Sequence, residues 1–290
     1  MARYEFQVDK SFHRRRLDEF LFDRLSSLSK AYIRTVLKTG GCDHNGLPCN
    51  GGHKVLENDF IEIEVDESRT SGMRPEELPL KVLYEDASVL VIEKPAGMLV
   101  HPTNYQRNGT ALNAMTHYLN RERKPREEFI RPHLIHRLDQ ETSGILVAAK
   151  DASSTRILCS HFKRGLIEKR YLAIACGKLN GPAGEIDLPI GRDPDLKKWM
   201  VMERGKPSLT RYKVIGQIGE DTLVELEPVT GRTNQLRIHL GAIGHPILGD
   251  EKQGGRPHER LCLHASRTVF WHPGGGRKVE VESRPDFVPV

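Results

Sequence analysis

The segment His136-Arg137-Leu138-Asp139-Gln140-Glu141-Thr142-Ser143-Gly144 combines a guanidinium, a carboxylate and a turn, and the apolar run Ile-Leu-Val-Ala-Ala follows at once. In an extended chain, residues two apart point the same way. Arg137 and Asp139 can therefore face one cleft from a loop braced by a rigid strand, a usual setting for catalytic groups. A second segment is Thr230-Gly231-Arg232-Thr233-Asn234-Gln235-Leu236-Arg237-Ile238-His239-Leu240. Its apolar residues Leu236, Leu240 and Ile243 recur at helical spacing. That sets Arg237 at the edge of the core, where a guanidinium needs a carboxylate partner or a route to water. A third is Glu168-Lys169-Arg170-Tyr171-Leu172-Ala173, in which Tyr171 offers a ring face to a planar group and a hydroxyl to a polar one. Each residue also has a plainer role when taken alone. Asp139 can cap its own turn, Arg237 can snorkel over a helix surface, and Tyr171 can fill a strand core.

The hydrophobic pattern shows what must hold these residues. A polar stretch over 67–79, with Gly and two Pro, separates two blocks. In the first block, over 14–66, Leu17, Phe20, Leu21 and Leu25 recur at helical spacing. Ser29 is placed to cap a second helix whose apolar face is Ile33, Val36 and Leu37. Gly40-Gly41 stops that helix, and Asn45-Gly46 signals a turn between short extended pieces. Phe60, Ile61, Ile63 and Val65 then interleave with Glu62, Glu64 and Asp66 as a strand with one wet face. The second block opens with two short strands, a loop rich in Pro and Gly, a helix over 111–119 and a charged loop over 121–128. A buried strand over 145–149 precedes a helix over 153–164 capped by Asp151 or Ser153. Strands are expected over 171–176, 211–215, 223–226, 261–270 and 278–281, with a helix over 232–242. Strands outnumber helices and short turns join them. The expected fold class is α+β: a mixed, mostly antiparallel sheet with flanking helices, plus a small N-terminal α-α-β module. The expected divisions are an N-terminal segment over 1–13, the module over 14–67, a linker over 68–79 and the main domain over 80–290.

Composition narrows the partners. At 290 residues, 38% hydrophobic and 29% charged, the chain reads as a soluble globular protein whose core needs no metal or disulfide staple. A net charge of +5 permits a polyanion partner. The charge is uneven: eight Lys/Arg face three acids over 10–40, whereas 57–67 carries six acids and no base. Positive charge is thereby concentrated on one surface. The five cysteines are odd in number and scattered, with no CxxC pair, which points to reduced thiols in the cytoplasm. Cys42, His44, Cys49 and His53 match no common zinc spacing. No export signal and no apolar run near about 18 residues is present, so no membrane partner is expected. Neither GxGxxG after a strand nor GxxxxGK[ST] occurs.

Read together, HRLD-x-x-TSG, KRYLA and TGRTNQLR closely resemble, in this order, the RluA family of RNA pseudouridine synthases. LPLKVLYEDASVLVIEKPAGMLVHP resembles the family's opening segment, GHPILGD the one after the arginine helix, and LCLHA its late strand, so the likeness spans about 80–281. RRLDEFLFDRLSSLSKAYIRTVLKTG resembles the helical part of an S4 RNA-binding domain, with Asn45-Gly46 at its turn, while Cys42-Asp43-His44 departs from the usual apolar strand. The resemblance implies an isomerase that converts a uridine within RNA to pseudouridine. In that reading Asp139 is the catalytic carboxylate, and Arg237 pairs with it and lowers its pKa. Tyr171 stacks on the base or handles a proton at C5, Arg137 assists extrusion of the nucleotide, and Leu263 lines the uracil pocket. Arg14, Arg15, Lys30 and Arg34 are the expected RNA contacts of the module's basic helical region. The implied substrate is structured RNA, large-subunit ribosomal RNA first and transfer RNA second. No cofactor or metal is expected, and the chain is expected to act as a cytoplasmic monomer. Asn234 stands where the family usually has His, and Lys252-Gln253 where an aromatic residue is often found. Two other classes remain to be weighed. One is an RNA-binding protein with a silent catalytic domain. The other is a glycoside or nucleoside hydrolase using Asp139 and Glu141 as a carboxylate pair.

Overall fold

A computed structural model of the chain describes residues 1–25, 28–66, 74–103, 105–124 and 129–288. The expected linker and the charged loop over 121–128 fall partly outside the described residues. The chain divides into two compact units, Met1–Leu78 with His101–Arg131, and Pro79–Val100 with Pro132–Val290.

The first unit contains β1 (Ala2–Gln7), α1 (Leu17–Arg24), α2 (Lys30–Lys38), β2 (Cys42–His44), β3 (Leu47–Pro48), β4 (Phe60–Val65) and α3 (Ala111–Asn120). Ser29 caps α2 as expected, its hydroxyl accepting from the Tyr32 N–H at 3.0 Å. The strands pair in the order β1-β4-β2-β3, all antiparallel. Phe20, Leu21, Ile33, Ile61 and Ile63 close the core between the helices and this sheet. The division at residue 14 needs correction, because β1 pairs with β4 from Ala2 opposite Val65 to Gln7 opposite Phe60. Residues 1–13 are thus part of this unit. α3 also packs here rather than with the main domain. It is capped reciprocally by Thr110 and Asn113, and Asn113 Nδ2 donates to the Arg74 carbonyl at 2.8 Å. The Gly109 N–H reaches Glu76 at 2.7 Å, and Arg131 donates to the Leu28 carbonyl at 2.9 Å.

The second unit runs through β5 (Lys81–Glu85), β6 (Val89–Lys94), β7 (His133–Leu134), β8 (Ser143–Ala149), α4 (Ala152–Lys163), β9 (Glu168–Ala175) and β10 (Ala183–Asp187). It continues with β11 (Ile190–Arg192), β12 (Trp199–Val201), β13 (Leu209–Ile218), β14 (Asp221–Pro228), α5 (Gln235–Ala242), β15 (Leu263–Trp271) and β16 (Lys278–Glu282). Its ten-stranded sheet has the order β10-β13-β14-β9-β15-β8-β6-β5, with β16 beside β15 and β7 beside β8. Among the described residues only β15 and β8 run parallel. β8 is buried at all seven positions, as suits a strand with neighbours on both sides. Its Gly144 has a φ of +110°, and an added Cβ would lie 2.4 Å from the Ala265 carbonyl oxygen. Only glycine lets these two strands approach. α5 begins at Gln235 rather than 232 because Asn234 adopts a left-handed conformation, φ 55°, which asparagine tolerates better than most residues. β10, β11 and β12 are short and carry no clean alternation of apolar residues, and the sequence pattern did not announce them. No described helix is long and apolar enough to cross a membrane.

Candidate active site

Asp139 sits on the loop between β7 and β8. The Thr142 N–H donates to the Asp139 carbonyl at 3.1 Å and closes the turn. A second brace was not foreseen. Lys94, fully buried at the end of β6, donates to the carbonyls of Pro95, Met98 and Gln140 at 2.8, 2.8 and 2.9 Å. One ammonium thus ties the segment after β6 to the residue following Asp139. Burial lowers the Lys94 pKa to about 8, while the charges of Glu141 and Asp139 resist that shift. Gln140 adds two reciprocal bonds with the backbone of Gly97, at 2.9 and 3.0 Å. In the sequence Lys94 is an ordinary Lys closing an apolar strand before Pro-Ala-Gly. Only its burial reveals the role.

The opposite wall comes from the 230–234 turn and α5. Gln235 is buried, and its carboxamide is satisfied on every side. Its Oε1 accepts from the Thr230 hydroxyl at 2.7 Å and the Arg232 N–H at 3.0 Å. Its Nε2 donates to the Leu209 carbonyl at 2.9 Å and to the Thr210 hydroxyl at 3.0 Å. His239, one helical turn further along, joins Thr210 at 2.9 Å and the Leu188 carbonyl at 3.0 Å. These bonds fix the N-terminal end of α5 against β13, and with it Arg237.

The walls enclose a cleft of about 300 Å³. Asp139, Arg137, Tyr171, Arg237 and Leu263 all line it, so the structure brings these five candidates together. Asn234 lines it too, as do His136, Phe162 and Lys169. Asp139 is the one carboxylate among the described lining residues. Glu141 is exposed and lies outside the lining, which leaves a paired-carboxylate hydrolase without its second acid.

Two electrostatic expectations need correction. Arg237 does not hydrogen-bond Asp139. Its Nε and Nη2 each lie 2.6 Å from an oxygen of Asp250, in a buried bidentate pair. Asp250 is 1% exposed, and a carboxylate in that position requires such a partner. Gly249 turns the chain toward it at a φ of +84°, where a Cβ would lie 2.1 Å from the Arg260 carbonyl oxygen. Arg237 therefore acts on Asp139 through its charge. The second correction follows from the first. Burial raises the Asp139 pKa, and although Arg237, Arg137 and Lys94 pull it down, burial prevails. Tyr171 is shifted upward by burial and by the charge of Asp139, so its phenol stays neutral.

The basic residues of the first unit lie on aromatic faces. Arg15 stands 5.8 Å from the Phe12 ring centroid, and Lys30 and Arg34 stand 5.4 and 5.1 Å from that of Phe22. Arg34 is also 3.5 Å from buried Asp18, which Arg16 holds at 2.8 Å. Arg14 is exposed in a left-handed conformation, φ 61°. The Lys30 pKa is lowered first by partial burial and then by Arg131 and Arg34, so Arg131 belongs to this positive cluster. Cys42 and Cys49 have their sulfurs 3.7 Å apart, while His44 bonds Asp59 and His53 bonds Asn50. Among the described residues, no group of three or more His, Cys, Asp or Glu side chains is placed to hold a metal ion.

With this geometry in view, the comparisons with known proteins are decisive. The sequence profile of the RNA pseudouridylate synthase family matches residues 88–242. The chain belongs to the RluA family of pseudouridine synthases, isomerases that act on uridines of RNA. An uncharacterized RNA pseudouridine synthase of Aquifex aeolicus is 34% identical over 303 aligned positions, covering 99% of this chain and 95% of that one. Ribosomal large subunit pseudouridine synthase D of Escherichia coli K12 is 31% identical over 283 positions, covering 91% and 85%. Among solved structures, human RNA pseudouridylate synthase domain containing 1 superposes with a TM-score of 0.63 at 27% identity, covering 74% of this chain and 86% of that one.

Proposed function

We propose that the chain isomerises specific uridines of large-subunit ribosomal RNA, with Asp139 as the acting carboxylate and no cofactor. The observation that carries this reading is a lone carboxylate in a cleft whose other polar walls are cationic or neutral. The name of the Escherichia coli relative supports the substrate. In the reaction the C1′–N1 bond breaks, the uracil turns, and C1′ bonds to C5. C5 gives up its proton and N1 ends protonated, so the change is redox-neutral. An ionised carboxylate can attack C1′ or remove the C2′ proton, and either route begins at Asp139.

Arg237, anchored by Asp250, holds positive charge beside Asp139 without consuming its oxygens. Those oxygens stay free for the sugar. Tyr171 is kept as a neutral phenol, which suits a stacking surface for the base better than a resident base. A base inside a helical stack must be flipped out at a cost of about a few kcal/mol. Arg137, exposed at the cleft mouth, suits filling the vacated space. Leu263 supplies apolar wall, and Arg14, Arg15, Lys30 and Arg34 supply phosphate contacts from the first unit.

The test is to map pseudouridines by carbodiimide labelling in large-subunit ribosomal RNA from cells with and without the gene. Sites lost on deletion should return with the wild-type chain and stay absent with Asp139→Asn, while that variant still binds RNA. Identical maps with and without the gene would overturn the substrate assignment. Restoration by Asp139→Asn would remove Asp139 from its role.

A further inference from the structure

β9 sorts its charged side chains onto two faces. Glu168 meets Arg267 at 3.9 Å and Lys278 at 3.4 Å, and Arg170 is paired with Glu227. Lys169 and Tyr171, two residues apart, share the other face, and both line the cleft. On the same strand as the paired Arg170, Lys169 has a different setting. Its Nζ lies 4.8 Å over the Phe162 ring, which is stacked on His136 at 5.2 Å and 17°. Among the described residues no carboxylate stands within ion-pair distance of it. His136 offers no help. Its Nε2 accepts the Val147 N–H at 3.0 Å, and burial, with the Lys169 charge second, lowers its pKa to about 3.

A half-buried ammonium without an anion is unfavourable. The contact with Phe162 offsets only part of that. Burial lowers the Lys169 pKa and no acidic neighbour opposes it. The cleft therefore holds a preformed cation whose counter-charge is not supplied by the chain. Lys169 and Tyr171 are separated by about 6.6 Å along the strand. A nucleotide whose base lies on Tyr171 brings its backbone within reach of a lysine side chain.

We propose that Lys169 binds a phosphodiester of the RNA, the linkage flanking the uridine seated against Tyr171. The proposal rests on the functional reading above and adds a substrate contact to it. An ammonium is a point charge with three donors, which suits a phosphate oxygen at the wall of a cleft. In this arrangement the charge holds the flipped nucleotide while Asp139 acts on its sugar.

The test uses the full chain and a stem-loop RNA from the mapped large-subunit site. The stem-loop is made unmodified and with a single neutral methylphosphonate at each linkage flanking the uridine. Lys169→Met is expected to lower kcat/KM roughly tenfold or more. Its slope of log kcat/KM against log salt should fall by about 0.7, the loss of one single-strand phosphate contact. One neutral linkage should cost the wild type a similar factor and cost Lys169→Met nothing further. Lys169→Arg should restore the slope. Full salt slope and undiminished sensitivity at every linkage in Lys169→Met would overturn the proposal. So would lost turnover with an altered pH profile and an unchanged slope, which would place Lys169 in the chemistry. Should Lys169→Met fail to fold, the wild type's response to each neutral linkage decides, with no sensitive linkage counting against the proposal. If the wild type forms no pseudouridine, the functional reading fails instead, and the salt slope of Kd still reports on Lys169.

Discussion

Arg237 and Arg34 are both arginines beside an aspartate, in regions that handle charge differently. The Arg237 side chain is 9% exposed and grips Asp250 through two bonds of 2.6 Å. The Arg34 side chain is 59% exposed, 3.5 Å from an aspartate that Arg16 holds more closely. Around the cleft, buried charges are over-determined: Lys94 has three carbonyls and Arg237 a bidentate carboxylate. On the first unit, cations rest on rings at the surface, where salt screens them. The first arrangement holds atoms in place for chemistry. The second suits the proposed RNA surface, where charge can attract a polyanion without specifying its pose.

Four changes probe that contrast, in descending order of effect. Asp250→Ala strands a buried guanidinium, and urea unfolding should show a loss of about 3–5 kcal/mol. A loss below about 1 kcal/mol would mean that water reaches Arg237, and the contrast with Arg34 would vanish. Lys94→Met leaves three carbonyls without their donor. A loss of about 1–3 kcal/mol is expected, with a fall in kcat and near-normal RNA affinity. Wild-type kcat in that variant would show that the Asp139 loop holds its shape unaided.

Asp139 makes a prediction of the opposite sign. Its pKa in the folded protein lies above its unfolded value, so the native state binds the extra proton. The stability linked to this group is complete below the unfolded pKa and declines as pH rises through the folded one. Asp139→Asn should therefore raise Tm at neutral pH, by an amount that shrinks on acidification, while activity is lost. The acid limb of the wild-type rate profile should sit above the usual carboxylate range. A lower Tm for Asp139→Asn would contradict the burial of this carboxylate. The smallest effect is Lys30→Ala. Stability should stay within about 0.5 kcal/mol, and the salt slope of RNA binding should fall by roughly 0.7–0.9. An unchanged slope would detach Lys30 from the RNA surface.

Much of the site was legible because its residues come in short segments whose type and spacing carry meaning. Asp139, Tyr171, Arg237 and Leu263 were singled out on four separate segments and line one cleft. β1 was readable in principle, since Ala2–Gln7 alternates in burial, but an exposed alternation gains meaning only once β4 is found beside it. Lys94 and Lys169 are common residue types in ordinary positions. Nothing local separates them from surface lysines, and only what surrounds each side chain does so.

Periodicity, turn residues and charge distribution are properties of neighbouring residues, so the chain's own order determined the helices, the buried strand after Asp139 and the basic helical stretch of the first unit. That Arg237 would hold Asp250, 13 residues further on, and that Asp139 would titrate high, could be seen only once the Asp139 loop, β9 and α5 had packed around one cleft. Burial sums contributions from all of those segments, and its size against the opposing charges could be known only after they had met.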